Sequence, residues 1–227
     1  MSALRVLIVG HGRMGRLVES LAPEAGVEIA GLVDIDNADR PDAWPAADVA
    51  IDFSTAAAVV GNAHRLAARG THLVIGTTGW QEHEAALKRE LAALPVGVVS
   101  APNFALGVNL FVALAARAAE LLAERPEFGA WIHELHHSAK RDAPSGTAIG
   151  IRDAMQSAGY KLPIDVASTR VGSIPGTHTV GFDSPAETIT LTHTARDRTC
   201  FARGALAAAK WVNGRRGWFT MRDVLGL

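Results

Sequence analysis

One cysteine, Cys200, stands in a chain of 227 residues. No internal disulfide framework can form, and the chain suits a reducing compartment. Charge of one sign is equally scarce: 22 basic residues meet 23 acidic ones for a net charge of -1. That balance excludes nucleic-acid binding driven by bulk positive charge. No apolar run approaches the roughly 20 residues of a bilayer span, so no membrane insertion is expected. From Met1 the chain passes into an apolar strand without the basic stretch and cleavage site of a secretory leader. Repeats and low-complexity tracts are lacking too. With these absences the cytoplasm is the expected location.

What is present is a 48 % hydrophobic composition, enough for one large or two small packed domains. The first half alternates short apolar runs with helical patterns. Strands are expected at 4–9, 27–33, 49–53, 73–75 and 96–100, and helices at 14–25, 56–69 and 81–94. Repeated βα units of this kind build a parallel sheet covered by helices. The pattern then changes to a long apolar helix at 108–122, a strand at 131–135, a polar loop from His136 to Pro144 and a helix from about Gly146. Strand-like segments at 165–171, 177–182 and 188–194 follow without intervening helices, which marks a second domain of α+β type. A closing helix at 205–212 is expected to pack back on the first domain.

Gly10-His11-Gly12-Arg13-Met14-Gly15 matches G-x-G-x-x-G between the first strand and the first helix. In that context the motif reads as a Rossmann-type dinucleotide fingerprint. Gly10 permits the tight turn, Gly12 lets a pyrophosphate approach the backbone, and Gly15 lets helix and strand pack closely. Asp34 ends the second strand at the right distance to bind the ribose hydroxyls. It would repel the 2′-phosphate of NADPH, and Ile35, not an arginine, follows it. NADH is therefore the expected cofactor, with NADPH open if Arg13 or Arg16 compensates. Two more loops leave strand ends where such sheets bind ligands, one at Gly76, Thr77, Thr78 and Gly79, the other at Ala101, Pro102, Asn103 and Phe104. Both are candidates to line the nicotinamide.

The densest chemistry runs from Glu134 to Ala148: two adjacent histidines, His136 and His137, two cations, Lys140 and Arg141, then Ser145-Gly146-Thr147 at a helix mouth. Free amides at a helix start suit a carboxylate, the cations add charge, and a histidine exchanges protons near neutral pH. An anionic substrate protonated during reaction fits this set. The same stretch contains His133-Glu134-Leu135-His136-His137, an H-E-x-x-H match. That zinc signature needs a helix. The surrounding residues lack helical periodicity, so no metal is expected and His133 is read as a strand residue with a structural hydrogen bond. Asp183, Glu187, Cys200 and the tryptophans carry no signal beyond ordinary surface or core positions.

At these residues the chain resembles the dihydrodipicolinate reductase family. The resemblance spans nearly the whole chain, and its most specific part is E-x-H-H-x-x-K-x-D-A-P-S-G-T-A from Glu134 to Ala148. Supporting matches are Gly-Arg-Met-Gly in the first turn, Ile75 to Gly79, Asn103-Phe104 with Gly107-Val108-Asn109, Arg170-Val171-Gly172, Pro175 to His178, and Met221 to Leu225. The resemblance implies NAD(P)H-dependent reduction of 4-hydroxy-tetrahydrodipicolinate, a cyclic dicarboxylate of lysine biosynthesis. It implies His136 as proton donor and acceptor, Lys140 as second donor or electrostatic partner, and His137, Gly146 and Thr147 as holders of the substrate carboxylates. It further implies a homotetramer built through the sheet of the second domain.

Two departures from the family pattern are the shorter Gly10-His11-Gly12 turn and the missing arginine after Asp34; both weigh against dual use of NADH and NADPH. The fold expected is thus α/β, a Rossmann-type parallel-sheet domain at 1–104 completed by 205–227, with an α+β substrate and oligomerisation domain bearing a mixed open sheet at 105–204. Another two-domain dehydrogenase of amino-acid metabolism, such as an aspartate or homoserine dehydrogenase, shares the first half but gives no reason for the loop from His136 to Thr147. A non-catalytic nicotinamide sensor would need neither His136 nor Lys140.

Overall fold

The computed structural model describes residues 3–227. The chain forms two compact units, one made of the residues up to Leu106 with Thr199–Leu227, the other of Gly107–Arg198.

In the first unit, β1 (Leu4–Val9), β2 (Val27–Val33), β3 (Val49–Asp52), β4 (His72–Ile75), β5 (Gly97–Ser100) and β10 (Gly217–Phe219) form one sheet in the order β10-β5-β4-β3-β1-β2. Every pair in it is parallel. Parallel strands need crossovers, which α1 (Arg13–Leu21), α2 (Ala56–Ala67) and α3 (Glu84–Leu91) supply. Because side chains alternate along a strand, each strand feeds two cores. Val6, Ile8, Val49, Ile51, Val74 and Val99 face α1 and α6 (Thr199–Val212), whereas Leu7, Val9, Ala50, Leu73, Ile75 and Val98 face α2 and α3. Burial of each such aliphatic side chain contributes about 1.5–3 kcal/mol. Helix α6 lies close because it is lined with small residues; a Cβ at Gly204 would stand 1.7 Å from the Phe104 carbonyl oxygen. The chain order turns at β1, with β2 on one side and β3 on the other. Such a switch point opens a crevice at the carboxyl ends of the strands.

The expected strands and helices are all present, with shifted ends. Helix α1 stops at Leu21, before Pro23 removes an amide donor and Gly26 turns with a φ of 64°. The expected 81–94 helix divides into a 3-10 turn at Gln81–His83 and α3. Helix α6 begins at Thr199, six residues before the expected start. Strand β10 and α7 (Met221–Leu225), with its Thr220 and Asp223 capping box, were not expected.

In the second unit, β6 (Gly129–His136), β7 (Ile164–Arg170), β8 (Thr177–Asp183) and β9 (Thr188–Thr194) are ordered β7-β6-β8-β9. Strands β6 and β7 are parallel, joined through α5 (Gly146–Ser157), while β8 and β9 add antiparallel pairs. The sheet is therefore mixed. Phe111, Ala115 and Ala119 of α4 (Leu106–Leu122) and Ala148, Ile151 and Met155 of α5 share a core with Ile132, Tyr160, Val180 and Phe182. Along β6, Ala130, Ile132, Glu134 and His136 are buried while the residues between them are only half-buried. The sequence reading placed His136 at the start of a loop; it is instead the last residue of β6, paired with Arg170.

Candidate active site

Each glycine of the fingerprint has its own geometry. Gly10 has a φ of 89°, and a Cβ there would lie 2.5 Å from the Phe53 carbonyl oxygen, so only glycine turns the chain between β1 and the end of β3. A Cβ at Gly15 would lie 2.2 Å from the Gly10 carbonyl oxygen, which is how closely α1 approaches the turn. Gly12 is the N-cap of α1 and faces open space, with nothing within 4 Å of a Cβ. No side chain caps that helix start, so its amides remain for an anion. His11 is engaged by Glu19 of α1 at 2.6 Å. A cleft of about 450 Å³ opens beside the turn, lined by Arg13, Met14, residues 53–56, and Gly76, Thr77 and Thr78. These residues fit a dinucleotide.

Asp34 is exposed just beyond β2; its Oδ1 accepts the Ile35 amide at 2.8 Å, and its own amide donates to Asn37 Oδ1 at 2.8 Å. Ile35 is 87 % exposed, an apolar side chain held in solvent beside that carboxylate. The loops after β3 and β4 are tied by Asp52, a residue the sequence reading passed over. Its buried carboxylate accepts from Ser54 N at 2.8 Å, Ser54 Oγ at 2.6 Å, Thr77 Oγ1 at 3.0 Å and Asn62 Nδ2 at 3.0 Å. The Thr77 hydroxyl is thus engaged within the protein. Gly76 is required because a Cβ would fall 2.2 Å from the Phe53 ring. Ala101 and Phe104 are core residues, Phe104 meeting Phe53 edge to face at 6.3 Å, and Asn103 Oδ1 accepts the Ala105 amide at 2.9 Å.

In the second unit the period of β6 puts Glu134 and His136 on one face, two residues apart. Glu134 is 0 % exposed. Its Oε1 accepts from Arg170 Nη2 at 2.6 Å and from the Ser145 amide at 3.2 Å; its Oε2 accepts from Arg170 Nη1 at 3.0 Å and bonds His136 Nδ1. Burial pushes the Glu134 carboxyl up, but hydrogen bonds from Arg170, Ser168 and His136 outweigh it and hold it at about 2. Burial lowers His136; the Glu134 charge opposes this, and Lys140 and Arg170 add to the lowering. The His136 ring meets His178 edge to face at 5.2 Å. Burial, with the neighbouring His136 charge, brings His178 down to about 4, so it is neutral at physiological pH.

The loop beyond β6 is held by Arg170, whose Nη2 donates to the Asp142 carbonyl at 2.6 Å. Lys140 Nζ pairs with both oxygens of Asp142 at 2.8 and 2.9 Å. That bond holds the Asp142 carboxyl below its usual range, with a smaller contribution from the Gly146 amide. A carboxylate of the chain itself thus sits where Lys140 and the start of α5 converge. Ser145 caps α5, accepting from the Ala148 amide at 3.2 Å and sharing a 3.2 Å hydrogen bond with His178 Nε2. Gly146 and Thr147 form the first turn, with open space beside Gly146. His137 is half-buried, the first residue after the strand.

His136, Lys140 and the start of α5 are therefore brought together, and Glu134, Arg170, Ser145 and His178 join them. Glu134 had a local signal, since two residues apart on a strand means one face. Arg170 and His178 lie in two of the motifs that carry the resemblance, but nothing local pointed them at this site, because only the register of β7 and β8 sets them opposite His136 and Glu134. The H-E-x-x-H match lies in extended backbone, where His133 projects away from Glu134 and His136 and shares a 2.9 Å hydrogen bond with Thr169 Oγ1. Ligand atoms of Glu134, His136 and His178 do lie within 4.8 Å of one another. The Arg170 guanidinium already engages both Glu134 oxygens and supplies the positive charge there, so this donor set does not fit a cation.

Residues 4–104 match the family described as "Dihydrodipicolinate reductase, N-terminus", and residues 107–225 match "Dihydrodipicolinate reductase, C-terminus". The chain is 43 % identical over 246 residues to the 4-hydroxy-tetrahydrodipicolinate reductase of Acidiphilium cryptum, covering 99 % of this chain and 98 % of that one. With the enzyme of the same name from Archaeoglobus fulgidus it shares 37 % identity, over 98 % of this chain and all of the other. Among solved structures, the dipicolinate-bound dihydrodipicolinate reductase of a Paenisporosarcina species superposes with a TM-score of 0.80 at 22 % identity, covering 96 % and 97 % of the two chains. The aspartate dehydrogenase of Thermotoga maritima has the same general fold at a TM-score of 0.51 and 11 % identity, covering 91 % and 95 %.

Proposed function

The chain belongs to the dihydrodipicolinate reductase family, pyridine-nucleotide-dependent oxidoreductases of the diaminopimelate route to lysine, and from that premise we propose how its residues divide the work. The first unit binds the dinucleotide, with the pyrophosphate over Gly12 at the start of α1. Asp34 takes the ribose hydroxyls, and the cleft between Arg13 and Thr78 takes the rest. NADH is preferred over NADPH, because Asp34 is a carboxylate and Ile35 offers a 2′-phosphate no cation.

The second unit holds 4-hydroxy-tetrahydrodipicolinate. The observation that carries this reading is the convergence of Lys140, His136 and the first turn of α5 around a carboxylate position that Asp142 fills in the free protein. A substrate carboxylate would replace that of Asp142 on Lys140 and the amides of Gly146 and Thr147, with His137 engaging the second carboxylate. Fixing both carboxylates orients the ring, which is the positioning contribution to the rate. The reduced nicotinamide supplies a hydride when bound. His136 then delivers the proton that completes the reduction, after the ring hydroxyl has left as water. A dianion beside His136 favours its protonated form, offsetting the burial that lowers it in the free protein.

The protein acts in the cytoplasm as a homotetramer assembled through the sheet of the second unit. That sheet carries cross-strand threonine pairs, Thr177 with Thr194 at 3.1 Å and Thr179 with Thr192 at 3.0 Å. Among the described residues no helix is long and apolar enough to cross a membrane. Purified protein should oxidise NADH only with freshly condensed pyruvate and aspartate semialdehyde. Comparable turnover of pyruvate, aspartate semialdehyde or homoserine alone would refute the substrate assignment.

A further inference from the structure

We propose that Glu134 and Arg170 are positioning residues that fix the His136 ring in one tautomer, with its Nδ1 proton on Glu134 and Nε2 left to exchange protons with the substrate. The inference rests on His136 as the proton donor of the site and goes beyond it by naming which nitrogen acts and what selects it.

A carboxylate only accepts hydrogen bonds, so Nδ1 bonded to Glu134 must carry hydrogen. The carboxylate has no freedom to turn away. Arg170 donates to both of its oxygens, and the guanidinium is itself anchored on the carbonyls of Thr169 at 2.9 Å and Asp142 at 2.6 Å. Among the described residues no group bonds Nε2. It lies beside Gly176, where a Cβ would stand 3.0 Å away and where the φ of 154° also favours glycine. A larger residue at 176 would press on that nitrogen. Four groups face the ring: Glu134 from β6, Arg170 from β7, His178 from β8, and Lys140 from the loop after β6. Of these only Glu134 is anionic, so it alone stabilises the imidazolium that must form before a proton is given up.

The hydrogen bonds also say what an amide would do in place of the carboxylate. An NH₂ at the Oε1 position would oppose two donors, Arg170 Nη2 and the Ser145 amide. At the Oε2 position it opposes only Arg170 Nη1, and His136 can adapt by turning Nδ1 into an acceptor. Glu134→Gln therefore reverses the tautomer, placing the proton on Nε2 and removing the stabiliser of the imidazolium.

The test is the ¹⁵N spectrum of histidine-labelled protein without substrate, with the His136 resonances assigned from their loss in His136→Gln. The wild type should show Nδ1 protonated and Nε2 unprotonated at pH 8, and Glu134→Gln the reverse. The variant should lose about 10²–10⁴ in kcat, as expected when a proton donor loses its orienting carboxylate. Its KM and NADH affinity should stay within about twofold, and its pH–rate limb should move to lower pH. Glu134→Asp, which keeps the carboxylate, should restore at least about tenfold of the lost rate. Wild-type His136 protonated on Nε2 overturns the proposal, as does Glu134→Gln with ordinary kcat. If Glu134→Gln fails to fold, the wild-type spectrum decides alone. A folded protein inactive on every substrate would refute the functional reading, while the ring assignment would still be decided by its own resonances.

Discussion

Replacing Asp34 by alanine should shift cofactor choice toward NADPH, and the size of the shift can be worked from the position of the carboxylate. Asp34 is exposed, so its interaction with a neighbouring charge is close to the high-dielectric limit. Two unit charges about 5 Å apart in water interact by about 0.8 kcal/mol, rising to about 3 kcal/mol at an effective dielectric of 20. A 2′-phosphate carries roughly 1.5–2 negative charges, so repulsion of about 1–2 kcal/mol is expected near the surface. That corresponds to a five- to thirtyfold narrowing of the ratio of kcat/KM for NADH to that for NADPH. Loss of the ribose hydrogen bonds should also weaken NADH binding by about 0.5–1.5 kcal/mol. Ile35→Arg added to Asp34→Ala should move the ratio further, since a guanidinium then faces the phosphate from a position now 87 % exposed. The assay is initial-rate kinetics with each cofactor at two ionic strengths. Salt should shrink the wild-type discrimination, because an exposed charge is screened over a Debye length of about 10 Å at 0.1 M. A ratio that moves less than twofold in Asp34→Ala, or a wild type that prefers NADPH, refutes the argument.

Three further outcomes follow from the same geometry. His136→Gln should cut kcat by about 10²–10⁴ with NADH binding unchanged, whereas Thr147→Val should act chiefly on KM; steady-state kinetics with calorimetric NADH titration separates them. Stability should fall on acidification below about pH 6.5. Burial lowers His72, His136, His178 and His193 in the folded protein, so the unfolded chain takes up protons first and the stability present above the ordinary histidine pKa drains away as pH drops. For His72 burial outweighs the opposing Asp48 charge, and the Gly97 N–H, 2.8 Å from Nδ1, favours a neutral ring that keeps its lone pair there. Urea denaturation at pH 7.5 and 5 should show a shallower pH slope in His72→Asn than in the wild type, and an equal slope would contradict this. Gly204→Ala should destabilise by about 1–3 kcal/mol or more, because its methyl carbon would overlap the Phe104 carbonyl and α6 must move to admit it; a change below about 0.5 kcal/mol by urea denaturation would show that α6 yields freely.

Local pattern was enough for the alternating strands and helices from β1 to β5 of the first unit. A parallel sheet repeats strand and helix in short order, so the segments at Leu4–Val9 and Val27–Val33 coincide with the observed strands, and the glycines of the first turn carry their roles in their spacing. The run from Glu134 to Ala148 was legible for the same reason, since its chemistry lies within fifteen consecutive residues. Strand β10 was not legible: three residues say little until they pair with β5 more than a hundred positions earlier. Helix α6 was read short because Arg203 and Gly204 separate its first turn, Thr199 to Ala202, from the alanine-rich stretch that follows, and glycine is a poor helix former; Gly204 is buried within the first unit, where the close approach to Phe104 uses it.

The tertiary structure alone decided what surrounds His136 and the strand-end loops of the first unit. Asp52 became a tether because β3 and β4 lie side by side, so Thr77 and Ser54 reach one carboxylate. Arg170 and His178 came to His136 and Glu134 through strand register, which depends on how whole strands bury their apolar faces and is written in no single residue. The sequence by itself thus determined the fold class and the glycine turn of the first unit, and it set His136 and Lys140 within one short polar run, because each of these rests on near neighbours in the chain. The partners of the buried Glu134 carboxylate, and with them the surroundings of the His136 ring, depend on contacts across strands, and only the folded sheet could supply those.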